Sequence, residues 1–416
     1  MDAPAISHPD RWTGEYNDVT RKLIALTEAD PELRDLLEQS IQKANKQNPD
    51  QSTNPVDDLT DYFRFVDRMS QLIPRDVLEN PRDLVRDEIL QSICYFYFLV
   101  DQELPALKGR GLYKNTLQYY GPFADWMRDF ADAWGQFLDT EKSWNRKTYR
   151  EFYADERFGL QEGWYEHASN WNTFNDFFAR YLRTPAVRPI ESGDSVVCSP
   201  ADSVPQGVWH IDDRSRIAVE GSGGSGRTDG GVRVKNKTHY SVEDLLGSDS
   251  GYADAFAGGT FTHTFLNVND YHRYHFPIGG KVVEKDQIEE NVALEVAWND
   301  DEKRYDPNDS TGWQFTQTRG YVIVDTGEFG VVGLVPMGMA QVSSVEFEDN
   351  VQVGHTFEKG DLLGNFLFGG SDFVMLFEEE AGFEIEAPEQ SPTGGEGGRP
   401  TYEHVKMGEL YGVLNG

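Results

Sequence analysis

The period of the hydrophobic positions changes once along the chain, close to residue 190. Residues 17–46 carry helical periodicity, and Gln47 to Pro55 (QNPDQSTNP) is a polar linker marked by proline. A second helical region runs to about residue 140. Its clearest element starts at Pro122, a favoured first-turn residue. Phe123, Trp126, Met127, Phe130, Trp134, Phe137 and Leu138 then recur at three- and four-residue steps. A membrane or cofactor surface could use such a stripe, but a core face uses it more often, and Asp125, Asp129 and Asp132 occupy the other faces. Thr173 to Asp176 approximates a capping box, with Asp in the usual Glu or Gln position. Phe174, Phe177, Phe178, Tyr181 and Leu182 follow at helical spacing, and this helix is expected to end before Pro185.

Beyond Arg188-Pro189-Ile190 the pattern becomes short β-rich segments punctuated by glycine: 195–198, 262–268, 292–298, 320–324, 330–335 and 341–347. Asp300 to Thr311 reads as a charged loop. Gly354 to Gly364 carries a hairpin signal around Lys359-Gly360-Asp361. Residues 367–377 (LFGGSDFVMLF) read as a strand, a Gly-Gly-Ser turn and a second strand, and Tyr402 to Leu414 as a closing strand pair. The expected fold is α+β, with a helical domain over 1–165 and a β-rich domain over 166–416.

Composition narrows the partners. There are 71 acidic and 38 basic residues, a formal charge of −33. Such a surface repels nucleic acid and anionic lipid, and suits a cytosol of high salt. Cys94 and Cys198 lie far apart without metal-type spacing, which favours a reducing interior over a disulfide framework. Residues 1–20 lack the basic and apolar regions of a signal peptide, and the apolar run Ile93 to Val100 is far short of a membrane span. A cytoplasmic protein with at most peripheral membrane contact is expected.

Two apparent ligand motifs fail on inspection. Gly221 to Thr228 nearly fits a phosphate loop, but Arg227 stands in the lysine position and no helix pattern follows. Asp306 to Gly312 hints at a calcium loop but lacks the glycine at its sixth position and the closing glutamate. His272 and His275 lie three apart in an aromatic segment. Without matching Asp, Glu or Cys ligands they read as structural histidines at least as well as metal ligands.

Five stretches in order resemble the phosphatidylserine decarboxylase family: 174–190 (FNDFFARYLRTPAVRPI), 199–203 (SPADS), 270–280 (DYHRYHFPIGG), 338–344 and 354–377. The resemblance spans about residues 165–380. It implies a pyruvoyl enzyme that cuts itself before the serine of a Gly-Ser corner, here Gly370–Ser371, leaving fragments of 370 and 46 residues that stay associated. By the same resemblance Ser371 attacks the Gly370 carbonyl, His275 takes its proton and Asp202 orients His275. His272 then assists decarboxylation by protonating the carbanion. The implied cofactor is the pyruvoyl group made from Ser371, an electron sink while CO₂ departs; no metal is implied. Asp372 stands where Thr or Ser is more usual, Ser343-Ser344 replaces Gly-Ser, and Ser203 replaces a common glycine, yet none of these removes a catalytic group.

The resemblance implies phosphatidylserine as substrate and phosphatidylethanolamine as product. The long acidic N-terminal region, with Trp134-Gly135, Phe137-Leu138 and Gly163-Trp164, looks more like the soluble subgroup typified by tryptophan decarboxylases. A free amino acid therefore stays open as substrate, since both share an α-amino carboxylate. An uncut chain could instead use Ser371, His275 and Asp202 as an acyl-hydrolase triad, although GxSxG is absent. A non-catalytic binding module is a third reading. The oligomeric state is open, a homo-oligomer among the alternatives.

Overall fold

Aspartates and prolines set the first helix boundaries. α1 (Asp18–Ala29) stops at Asp30, whose carboxylate accepts the Glu32 and Leu33 N–H groups and so caps α2 (Pro31–Gln47). The periodicity over 17–46 is thus two helices. α3 (Leu59–Met69), α4 (Val85–Phe98), α5 (Gly121–Leu138) and α6 (Arg146–Ala154) follow. The expected stripe of α5 is its buried face, with Phe123, Trp126, Met127, Phe130, Trp134 and Leu138 all buried. These positions come from a computed structural model that describes residues 14–77, 85–220, 232–234, 237–308, 313–342, 344–395 and 399–416. The glycine-rich stretch 221–231, Ser343 and the end of the calcium-like stretch lie outside the described residues.

The capping box forms as read: Thr173 accepts the Asp176 N–H and Asp176 accepts the Thr173 N–H. The helix itself, α7 (Phe174–Phe178), is only one turn. The periodicity through Leu182 is overruled by Arg180, which turns inward to donate to the Asn269 and Asp270 carbonyls. Tyr181 is left exposed, and Leu182 pairs with Tyr165.

The strands follow in chain order. β1 (Val196–Cys198), β2 (Val204–His210), β3 (Arg216–Glu220), β4 (Val232–Val234) and β5 (Lys237–Ser241) precede a short helix, α8 (Val242–Leu246). Next come β6 (Thr260–Leu266), β7 (Arg273–His275), β8 (Gly280–Ile288), β9 (Val296–Asn299), β10 (Arg304–Pro307), β11 (Arg319–Asp325) and β12 (Val331–Met339). The chain continues through β13 (Val345–Phe347), β14 (Thr356–Phe357), β15 (Leu362–Phe366) and β16 (Gly370–Phe377). It closes with β17 (Phe383–Ile385), β18 (Glu389–Ser391), β19 (Thr401–Tyr402) and β20 (Leu410–Leu414). The fold is α+β. Two expected strands start late, at Val296 and Val345, and part of the charged loop is strand β10, paired with β9.

A seven-stranded antiparallel sheet, ordered β14-β8-β11-β12-β16-β6-β2, organises the second half. β16 lies inside it, paired with β12 and β6. Alternation along β16 feeds two cores: Val374 and Leu376 join the one shared with the helices, while Phe373, Met375 and Phe377 join the other.

Three turns expected as hairpins or strand pairs are corners between sheets instead. β15 pairs with β13 and β7, whereas β16 belongs to the large sheet, so no hairpin joins them across Gly369-Gly370-Ser371. β14 pairs with β8 and not with β15, and β19 with β18 and not with β20. Local turn residues fix where a chain bends. Which strand it then pairs with is decided by packing.

Candidate active site

Ser371 is the second residue of β16, opposite Gly338 on one side and Leu266 on the other. It shares a face with Phe373 and Met375. Its Oγ is fully buried and, among the described residues, has no hydrogen-bond partner, an unusual state for a buried hydroxyl. Phe368, just before the glycines, is packed among Trp134, Phe174 and Phe178.

The SPADS loop lies between β1 and β2. Thr264, on the Ser371 face of β6, donates to Ser203 Oγ at 2.7 Å and ties that loop to the sheet. The Asp202 carboxylate is wholly engaged: Arg188 donates Nε at 3.1 Å and Nη2 at 2.7 Å, and the Met407 N–H donates at 2.8 Å. Arg188 is itself buried, with its guanidinium over the Trp164 ring.

β7 carries His275 against the same loop, its backbone N–H donating to the Pro200 carbonyl at 2.8 Å. The His275 Nδ1–H donates to the Gly360 carbonyl at 2.8 Å, so Nε2 is an acceptor, facing the Tyr271 hydroxyl at 3.2 Å. The structure therefore does not join Asp202 to His275 by a hydrogen bond; the orienting group is the Gly360 carbonyl. Asp202 still favours the charged imidazole through its field, but burial outweighs it and pushes His275 down to about 4.

His272 follows the same pattern. Its Nδ1–H donates to the Asp270 carbonyl at 3.0 Å, and Nε2 is buried without a partner among the described residues. Its ring stacks on Phe178 at 3.9 Å, and Phe178 also packs on Phe368, so His272 and the glycine corner share a neighbour. Burial, with the Arg180 charge, lowers it to about 3. Both histidines are neutral bases at neutral pH.

Asp372 lies on the opposite face of β16. It is fully buried, accepts the Phe373 N–H and meets His263 Nδ1 at 2.7 Å. The pairing explains how a carboxylate survives in an otherwise apolar strand. Arg188, Tyr271 and His263 carry no distinguishing sequence signal of their own. Arg188 marked only a boundary, and Tyr271 was one aromatic among several.

A cavity of about 300 Å³ opens beside the corner. Gly369, Gly370, Leu266 and Phe368 line it, together with Ile89 and Ile93 of α4. Asp76, Arg304 and Asp306 also line it. A larger cleft of about 760 Å³ beside α5 touches none of Ser371, His275, His272 or Asp202. Among the described residues no cluster of His, Cys, Asp or Glu could hold a metal ion, and no helix is long and apolar enough to cross a membrane.

Known proteins match this region. Residues 174–413 fit the family described as Phosphatidylserine decarboxylase. Phosphatidylserine decarboxylase proenzyme 2 of Oryza sativa subsp. japonica is 30% identical over 217 residues, covering 51% of this chain and 30% of that protein. The Alcanivorax borkumensis phosphatidylserine decarboxylase proenzyme is 30% identical over 283 residues, covering 64% of this chain and 87% of its own. Decarboxylase iboD of Amanita muscaria is 26% identical over 316 residues, covering 68% and 82%. The family match takes in the SPADS loop, both histidines and the Gly-Gly-Ser corner and covers more than half of the sequence: the chain belongs to the phosphatidylserine decarboxylase family, whose members are carboxy-lyases.

Proposed function

We propose that this protein is a pyruvoyl-dependent decarboxylase that cuts its own chain between Gly370 and Ser371 and releases CO₂ from an α-amino carboxylate. The observation that supports this most is Ser371 Oγ, a buried hydroxyl with no partner directly after two glycines. A hydroxyl kept free of hydrogen bonds beside a flexible carbonyl is suited to attack that carbonyl. Ser371 Oγ bonds to the Gly370 carbonyl carbon as the peptide C–N bond breaks, leaving an ester. Elimination releases the Gly370 carboxylate, and water then displaces ammonia from the dehydroalanine to leave the pyruvoyl group.

The neutral His275 is the base, held in its acceptor form by Gly360. Asp202 acts through the loop. Its bonds to Arg188 and to the Met407 N–H fix the segment whose Pro200 carbonyl receives the His275 backbone N–H. In the decarboxylation itself the pyruvoyl carbonyl supplies the electron sink. His272 is a neutral imidazole whose Nδ1–H is held by the Asp270 carbonyl, so its bare Nε2 takes up a further proton only in passing, with water as the source. It then returns that proton to the carbon that CO₂ has left.

The names of the relatives point to phosphatidylserine as the substrate, yielding phosphatidylethanolamine. A second reading, a free amino acid with an apolar side chain, is favoured by the cavity. Its volume of about 300 Å³ suits one side chain, and Ile89, Ile93, Leu266 and Phe368 give it an apolar lining. None of the exposed large hydrophobic residues, Tyr153, Tyr181, Ile190, Val208 and Val353, borders it to receive acyl chains. An uncut acyl hydrolase is disfavoured because the buried Ser371 Oγ is out of reach of an external ester.

Intact mass spectrometry of the purified protein tests the proposal. Two chains divided at Gly370/Ser371 are expected, the smaller blocked by pyruvoyl, and one uncut chain for Ser371→Ala. A folded wild type that remains a single chain would overturn it. CO₂ release from phosphatidylserine vesicles against a panel of free amino acids then decides the substrate.

A further inference from the structure

The helical domain reaches the bond to be cut. β12 pairs with β16 as far as Met339, opposite Gly370. Directly beyond, the chain passes through Ala340 (φ 53°) and Gln341 (φ 45°), two consecutive left-handed residues that are not glycine. Such residues hold that conformation only when their surroundings fix it. The Val342 N–H then donates to the Phe368 carbonyl at 3.1 Å. The arch 339–342 thus grips residues 368–370 from both ends.

What fixes the arch comes from the helices. The Gln341 N–H donates to the hydroxyl of Tyr97, a buried residue of α4, at 2.6 Å. Val342 packs on Gly135 of α5, where an added Cβ would meet it at 2.9 Å. Trp134, anchored by its indole N–H on the Leu72 carbonyl at 2.7 Å, stands edge-on to Phe368 with ring centroids 5.6 Å apart.

We propose that Tyr97 and Trp134 are positioning residues for self-cleavage: they lock the arch and Phe368, and so present the Gly370 carbonyl to Ser371. The helical domain is then part of the processing site. This inference rests on the self-cleavage reading above.

The test follows the appearance of the 46-residue fragment over time in full-length chains made by cell-free synthesis. Tyr97→Phe keeps the ring and removes the hydroxyl. It should slow the cut about tenfold, the worth of one hydrogen bond that holds the arch in place, in a chain that still unfolds cooperatively. Adding Gln341→Gly should bring the rate back to within about twofold, because glycine holds a positive φ unaided. Trp134→Phe, as a second variant, should also slow the cut. A Tyr97→Phe chain cut at the wild-type rate, or a folded double variant that stays slow, would overturn the role of Tyr97 alone. A wild type that is never cut would overturn self-cleavage as well.

Discussion

His272 and His275 are unusual less for their position than for their charge. Burial lowers them to about 3 and about 4, against 6.5 for an open imidazole. Between those values and 6.5 the unfolded chain binds more protons than the folded one. Their contribution to stability is therefore complete above about pH 6.5 and is lost as pH falls toward about 4 for His275 and about 3 for His272. His404, raised by its hydrogen bond to Asp270, works in the opposite direction, its contribution fading as pH rises through its folded value. Urea unfolding of the Ser371→Ala chain at pH 7.5, 5.5 and 4.5 should give falling midpoints, and His272→Gln should flatten the fall. The sequence pointed to these two imidazoles but could not show what holds them. Backbone carbonyls do, and every residue carries one, so a sequence holds no sign of which is used.

At the scale of elements, the SPADS loop is an ion-pair clamp between distant segments. Asp202 neutralises Arg188, and both are buried. Asp202→Asn would leave a buried guanidinium without its counter-charge and is expected to cost about 3–5 kcal/mol. Denaturant midpoints of Ser371→Ala chains with and without the substitution would measure it, and a change below ~1 kcal/mol would mean that the clamp is unimportant. Helix starts were legible because capping is local: Thr173 and Asp176 meet as their spacing demands. Strand partners were not. The Gly369-Gly370 and Gly360 corners each carry the chain from one sheet to another, and nothing within a turn distinguishes that from a hairpin.

The whole molecule places its helices where the chemistry would occur. One hydrophobic core runs from Leu37 and Trp126 of the helices to Phe368 and to Val374 and Leu376 of the strand that carries the serine. Periodicity announced two kinds of structure, but it could not announce that they share a core, because contacts between distant segments leave no local pattern. β16 sits between β12 and β6, and farther along β20 pairs with β1. A cut before Ser371 would leave those pairings intact across two polypeptides. The enzyme would then have folded once, as a single chain, into an arrangement that its mature pieces can regain only by finding each other. After denaturation the precursor variant Ser371→Ala should recover at a rate independent of protein concentration, while the mature pair should recover more slowly with each dilution. Stopped-flow refolding across a hundredfold range of concentration checks this, and equal rates for the two would mean that the chain was never divided.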